Sequence, residues 1–232
     1  MVMPKTIGIL GGMGPEATAD LYMRIIKICQ TKYGTKFDSD YPQIIINSIP
    51  LPDVVEAEKI DNIYTYLEDG VKTLEFAGVN FIVIACNTVQ FLVSKLRKVV
   101  KIPIIGIPEE TLKIVKSYNI NKVGLLATKN TTKMRAFDKE AEKFNISILT
   151  PSIEQQNKIT NVIMNVLSGN KFEQDKLTLK QIIVDLISNG AEAIIIGCTE
   201  LPLIINNNDS KVLLLDTTEI LSQASVREAF SD

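Results

Sequence analysis

The chain resembles itself, and that internal likeness limits its fold to something built from two similar halves. Lys5-Thr6-Ile7-Gly8-Ile9-Leu10 is matched by Asn121-Lys122-Val123-Gly124-Leu125-Leu126. Further on, Gly78–Thr88, ending in Ile84-Ala85-Cys86-Asn87-Thr88, is matched by Gly190–Glu200, ending in Ile196-Gly197-Cys198-Thr199-Glu200. Nearly the same interval separates Gly8 from Cys86 as Gly124 from Cys198, so the repeated unit is a half-domain rather than a short motif. Within each unit, short β-branched runs alternate with longer amphipathic stretches, the cadence of a parallel sheet covered by helices.

Strands are predicted at Thr6–Leu10, Ile44–Ile49, Phe81–Ala85, Ile104–Ile105, Val123–Ala127, Ser147–Leu149, Ala193–Ile196 and Val212–Leu214. Helical periodicity marks Thr18–Thr31, Asn62–Phe76, Thr131–Phe144, Asn157–Leu167 and Leu177–Ser188. The expected division is a first α/β domain of 1–101 plus about 209–232 and a second of 102–208.

Composition narrows the chemistry. The 25 basic and 27 acidic residues are mixed along the chain, leaving no basic stripe for nucleic acid or anionic lipid. The N-terminal stretch has neither the pattern of a signal peptide nor that of a spanning helix, so a cytoplasmic protein is expected. Histidine and tryptophan are absent, which excludes Cys-His or Ser-His pairs and imidazole-ligated zinc. Acid-base work falls to carboxylates, lysines, tyrosines or the three cysteines, whose odd number and spacing fit free thiols in a reducing compartment.

Cys86 and Cys198 share an address at the end of a buried strand, the edge where ligands bind in α/β sheets. A helix N-terminus after each would lower its pKa from about 8.5, making both thiols basic near neutral pH. If the halves are related by a two-fold axis, both strand ends meet in one cleft. Two opposed thiols suit stereoinversion, in which one removes an α-proton and the other returns a proton to the opposite face. Cys29, within the apolar pattern of Leu21, Ile25 and Ile28, is read as a small core residue. Gly11-Gly12-Met13-Gly14-Pro15 forms a tight loop of N–H groups suited to a carboxylate. It also meets a weak dinucleotide pattern, Gly12-x-Gly14-x-x-Ala17, but no acid ends the second strand. The equivalent loop, Thr128-Lys129-Asn130-Thr131-Thr132, offers hydroxyls and a cation.

These residues resemble the PLP-independent aspartate/glutamate racemases, and among them the aspartate racemases. The anchors are Gly11–Thr18, Cys86-Asn87-Thr88, Leu126-Ala127-Thr128-x-x-Thr131 and Gly197-Cys198-Thr199-Glu200. The resemblance implies two pseudo-symmetric α/β domains with the active site in the cleft between them, no metal, no cofactor, and a homodimer. It implies interconversion of L- and D-aspartate by Cys86 and Cys198, the first serving the D isomer and the second the L isomer. The amino-acid head group would be held by Met13, Gly14, Asn87, Thr88, Thr128, Thr131 and Thr199, with Thr88 and Glu200 serving the amino group.

The side-chain pocket departs from the family. Val54 stands where an arginine is usual, Leu167 lies near the place of a common lysine, and Asp38-Ser39-Asp40-Tyr41-Pro42 replaces Asp-Gln-x-His-Pro. One of Lys129, Lys158 and Lys171 is expected to take over the carboxylate, and the residues do not choose among them. Glutamate or a neutral amino acid is the nearest alternative substrate. A maleate-type cis-trans isomerase and a non-catalytic metabolite-binding protein are the rivals from other classes.

Overall fold

A computed structural model of the chain describes residues 4–52, 54–55 and 63–231. The expected helix start at Asn62 and the Asp53 of the second-strand loop lie outside these residues. Two sheets carry the fold. The first joins β1 (Ile7–Gly11), β2 (Ile44–Ser48), β3 (Phe81–Ile84) and β4 (Ile104–Ile105) in the order β2-β1-β3-β4. The second joins β5 (Lys122–Ala127), β6 (Ser147–Leu149), β7 (Ala193–Gly197) and β8 (Leu213–Asp216) in the order β6-β5-β7-β8. Every pairing is parallel, and the two orders are the same once the strands are counted within each half.

The central strands are buried on both faces, which is why they read as unbroken apolar runs. Their residues alternate between a shared core and an outer one. Ile7, Ile9, Phe81 and Val83 join Val123, Leu125, Ala193 and Ile195 in one cluster that spans both halves. Leu10, Ile82 and Ile84 face an outer cluster of the first half, and Leu126, Ile194 and Ile196 face one of the second. The repeated glycine is a packing requirement: a Cβ on Gly8 would lie 2.8 Å from Val79 Cγ2, and one on Gly124 would lie 2.6 Å from Ile194 Cδ1.

Helices α1 (Pro15–Lys32), α2 (Ile63–Phe76), α7 (Ile153–Leu167) and α8 (Glu173–Ser188) correspond to predicted periodic segments. The stretch predicted as one helix over Thr131–Phe144 is two, α5 (Lys129–Lys133) and α6 (Asp138–Phe144), separated at Arg135, whose φ is +53°. A four-residue helix, α3 (Val93–Leu96), follows β3. Two further helices, α4 (Ile107–Ser117) and α9 (Thr217–Ala229), lie outside the segments predicted from periodicity. These last two are exchanged between the halves: α4 follows β4 but packs on α6, and α9 follows β8 but packs on α1, with α4 and α9 in mutual contact.

Sheet membership therefore runs across the expected division at 101/102 and 209. β4 pairs with β3 in the first sheet, and β8 pairs with β7 in the second. Among the described residues, no helix is long and apolar enough to cross a membrane.

Candidate active site

β3 and β7 are the central strands that carry the repeated cysteines to their carboxyl ends, one in each sheet. Cys86 and Cys198 line one cavity of about 200 Å³ between the halves, together with Met13, Gly14, Asn87, Thr88, Thr128, Thr199 and Glu200. Cys29 is buried in α1 and lines no part of it. Among the described residues, no group of three or more His, Cys, Asp or Glu side chains is arranged to hold a metal ion.

The chain after each cysteine does not run into a long helix. A single 3-10 turn, Gln90–Leu92, and the short α3 follow Cys86, and the 3-10 turn Leu201–Leu203 follows Cys198. Without a long helix dipole, burial sets the acidity of the thiols. Burial pushes the Cys86 thiol up to about 11, opposed by N–H groups of Val89 and Thr88 and by the Thr88 hydroxyl. Burial likewise holds the Cys198 thiol well above the ordinary range. The charge of Glu200 and a hydrogen bond from Cys198 Sγ to Glu200 Oε2 at 3.0 Å add to that shift. The shift expected from helix ends is downward, whereas burial raises both thiols because desolvation outweighs the local N–H groups.

Hydrogen bonds across the halves hold the other polar groups. Asn87 Nδ2 donates to Thr217 Oγ1 at 3.0 Å, and that hydroxyl donates to the Ile196 carbonyl at 2.8 Å. The amide orientation is fixed by this chain, and Asn87 Oδ1 is left buried with no hydrogen-bond partner among the described residues. Thr88, Thr128 and Thr131 form a triangle of hydroxyls with edges of 3.0, 2.8 and 3.2 Å. Thr128 also caps α5 by accepting the Thr131 N–H at 3.0 Å. Thr131 is fully buried and does not line the cavity, so it supports Thr88 and Thr128 instead of facing a ligand.

The loop after β1 is held by Thr18, whose hydroxyl accepts the Gly12 N–H and donates to the Gly14 carbonyl, each at 3.0 Å. One of the N–H groups expected to serve a carboxylate is thus used internally. Gly12 itself has φ +93°, and a Cβ there would lie 2.3 Å from the Ile49 carbonyl oxygen.

The remaining lining is apolar: Pro15, Leu51, Pro52, Val54, Val55 and Leu167. None of the three candidate lysines joins it. Lys158 pairs with Glu154 at 2.7 Å and Lys171 with Glu16 at 2.6 Å, while Lys129 lines a separate groove with Pro151 and Ile153. Two supports went unnoticed in the sequence. One is Thr217, at the start of a helix that periodicity left unmarked. The other is Asn130, whose Nδ2 donates to the Val54 and Val55 carbonyls at 3.0 and 3.4 Å.

Residues 10–224 match the Asp/Glu/hydantoin racemase family. The chain belongs to that family and is an amino-acid racemase. It is 28% identical over 221 residues to the broad specificity amino-acid racemase RacX of Bacillus subtilis (strain 168), a match covering 95% of this chain and 96% of that one. Two solved structures superimpose on it with TM-scores of 0.83. One is an aspartate racemase homologue from Pyrococcus horikoshii OT3, 30% identical and covering 98% of this chain and 100% of its own. The other is the Picrophilus torridus aspartate racemase, 26% identical and covering 97% of this chain and 94% of its own.

Proposed function

We propose that the protein interconverts the enantiomers of an amino acid without a cofactor, using Cys86 and Cys198 as the two bases. The observation that carries this reading is that both cysteines of the duplicated motif line a single buried cavity whose other polar groups are hydroxyls, one amide and one carboxylate. The α-ammonium is received by Glu200 and by the unpartnered Asn87 Oδ1. Its positive charge offsets the carboxylate that opposes thiolate formation, so the thiols become more acidic as substrate enters.

The two sulfurs begin in different states. Cys86 carries the thiolate, supported by two backbone N–H groups and the Thr88 hydroxyl, while Cys198 is held protonated by its bond to Glu200. The Cys86 thiolate takes the α-proton, the electron pair is left on the α-carbon, and Cys198 delivers its proton to the other face. Inversion leaves Cys86 protonated and Cys198 as thiolate, which is the starting state for the opposite enantiomer. Hydrogen-bond donors in the cavity stabilise the charge that spreads to the carboxylate. The aspartate that the family resemblance implies would need a cation on the wall, and none of the described lining residues is one.

The test is to incubate single enantiomers of a panel of amino acids, aspartate included, with purified protein in the presence of EDTA. The protein should show no PLP absorbance, and optical purity should decay with at least one amino acid. Activity abolished by chelation, or regained only with added PLP, contradicts the proposal.

A further inference from the structure

We infer that the side-chain end of this cavity is built for an uncharged aliphatic side chain, with Val54, Val55 and Leu167 as the residues that set this preference; the inference rests on the racemase reading above. Val54 belongs to the same apolar cluster as Cys86, and the adjacent Val55 to the same cluster as Cys198. One short stretch of chain therefore closes the cavity with alkyl groups on both cysteine sides. Asn130 holds that stretch against the second half through both valine carbonyls, so the apolar wall is fixed from outside.

Electrostatics point the same way. Glu200 is the one charged group among the described lining residues, and the reading above gives it to the α-ammonium. A Cβ on Gly14 would lie 3.0 Å from Leu167 Cδ2 and 3.3 Å from Glu200 Oε1, so the leucine and the carboxylate flank the same short segment. A side-chain carboxylate would enter a site that holds a like charge and offers it alkyl groups in place of donors, an unfavourable exchange for its water shell. Methyl and methylene groups would instead leave water for contact with Leu51, Pro52 and the two valines.

The test follows Cα–H exchange by proton NMR in deuterated water, using the full chain with L-alanine, L-methionine, L-leucine, L-aspartate, L-glutamate and L-lysine at equal concentration. The best uncharged substrate should exceed aspartate by about tenfold or more in kcat/KM. Leu167→Lys, at a position 42% exposed and so tolerant of the longer side chain, should raise aspartate relative to that substrate by about tenfold. A wild-type panel led by aspartate, glutamate or lysine, or a Leu167→Lys ratio equal to wild type, overturns the inference while leaving racemisation intact. Exchange with no amino acid overturns the racemase reading and this one with it.

Discussion

Cys198 donates its thiol hydrogen to Glu200, with Sγ 3.0 Å from Oε2 inside the cavity. Its counterpart in the repeat, Cys86, has Thr88 at the equivalent place and no carboxylate bonded to it. The two halves share a backbone plan and differ in charge at the one position beside each sulfur. Glu200→Gln removes the negative charge while keeping the shape. The Cys198 thiol should become more acidic and react faster with iodoacetamide. KM should rise by about tenfold to a hundredfold, matching the ~1.5–3 kcal/mol of a hydrogen bond to a charged group. Slower alkylation of Cys198 with unchanged KM would show that Glu200 plays neither part.

The raised thiols predict a pH profile for chemical modification. Without substrate, alkylation of Cys86 should be slow at pH 7.5 and climb steadily toward pH 11, because only the thiolate attacks. Bound amino acid should protect both cavity cysteines. Mass spectrometry of the modified protein locates the label, and a rate that levels off below pH 8 would mean an acidic thiolate in the empty site. Loss of activity with label chiefly on Cys29 would contradict the assignment of the cavity pair.

Stability should fall in alkali for the same reason. Cys29, Cys86 and Cys198 all hold their protons more tightly folded than unfolded, chiefly through burial. The contribution of Cys29 and Cys86 is fully present below the unfolded thiol value of about 8.5 and is lost as pH rises from there through about 11, and that of Cys198 is lost in the same direction. Urea midpoints measured from pH 7 to 11 should decline across that window, and less steeply in a Cys29→Ala variant once each curve is referred to its own neutral value.

Thr131→Val leaves the hydroxyls of Thr88 and Thr128 one partner short in a buried site. The expected cost is about 1–3 kcal/mol of stability, together with a loss of kcat/KM although Thr131 does not line the cavity. Thermal unfolding and steady-state kinetics check the two effects. Thr131→Ser should restore most of both, since it returns the hydroxyl.

Strand positions were legible from sequence because both faces of each central strand are buried, giving continuous runs such as Ala193–Gly197. Helix α9 lay hidden because its buried residues form no single stripe. Buried positions surround α9, including Thr218, Ser222, Ala224 and Ser225, with the serine hydroxyls bonded to carbonyls of their own helix, so no polar stripe alternates with an apolar one. The exchange of α4 and α9 between halves depends on packing across the molecule, which local periodicity does not encode. Most polar residues that line the cavity were legible through the repeat, since matched strand ends must lie at matched sheet edges. Thiol acidity was not, because it depends on burial and on Glu200, and the turns after the cysteines are too short to act as the expected helix ends. The lysine sought for a substrate carboxylate was inferred from a missing arginine, whereas the described wall at Val54 and Leu167 is alkyl.

The central claim is that two thiols serve opposite faces of one carbon. Its most direct measurement follows the best substrate of the panel in deuterated water with wild type, Cys86→Ser and Cys198→Ser. Wild type should place solvent deuterium at Cα of the product enantiomer. Either serine variant should lose net racemisation, with residual exchange favouring the L isomer in Cys86→Ser and the D isomer in Cys198→Ser. A Cys198→Ser protein that racemises at near the wild-type rate would contradict the two-thiol mechanism.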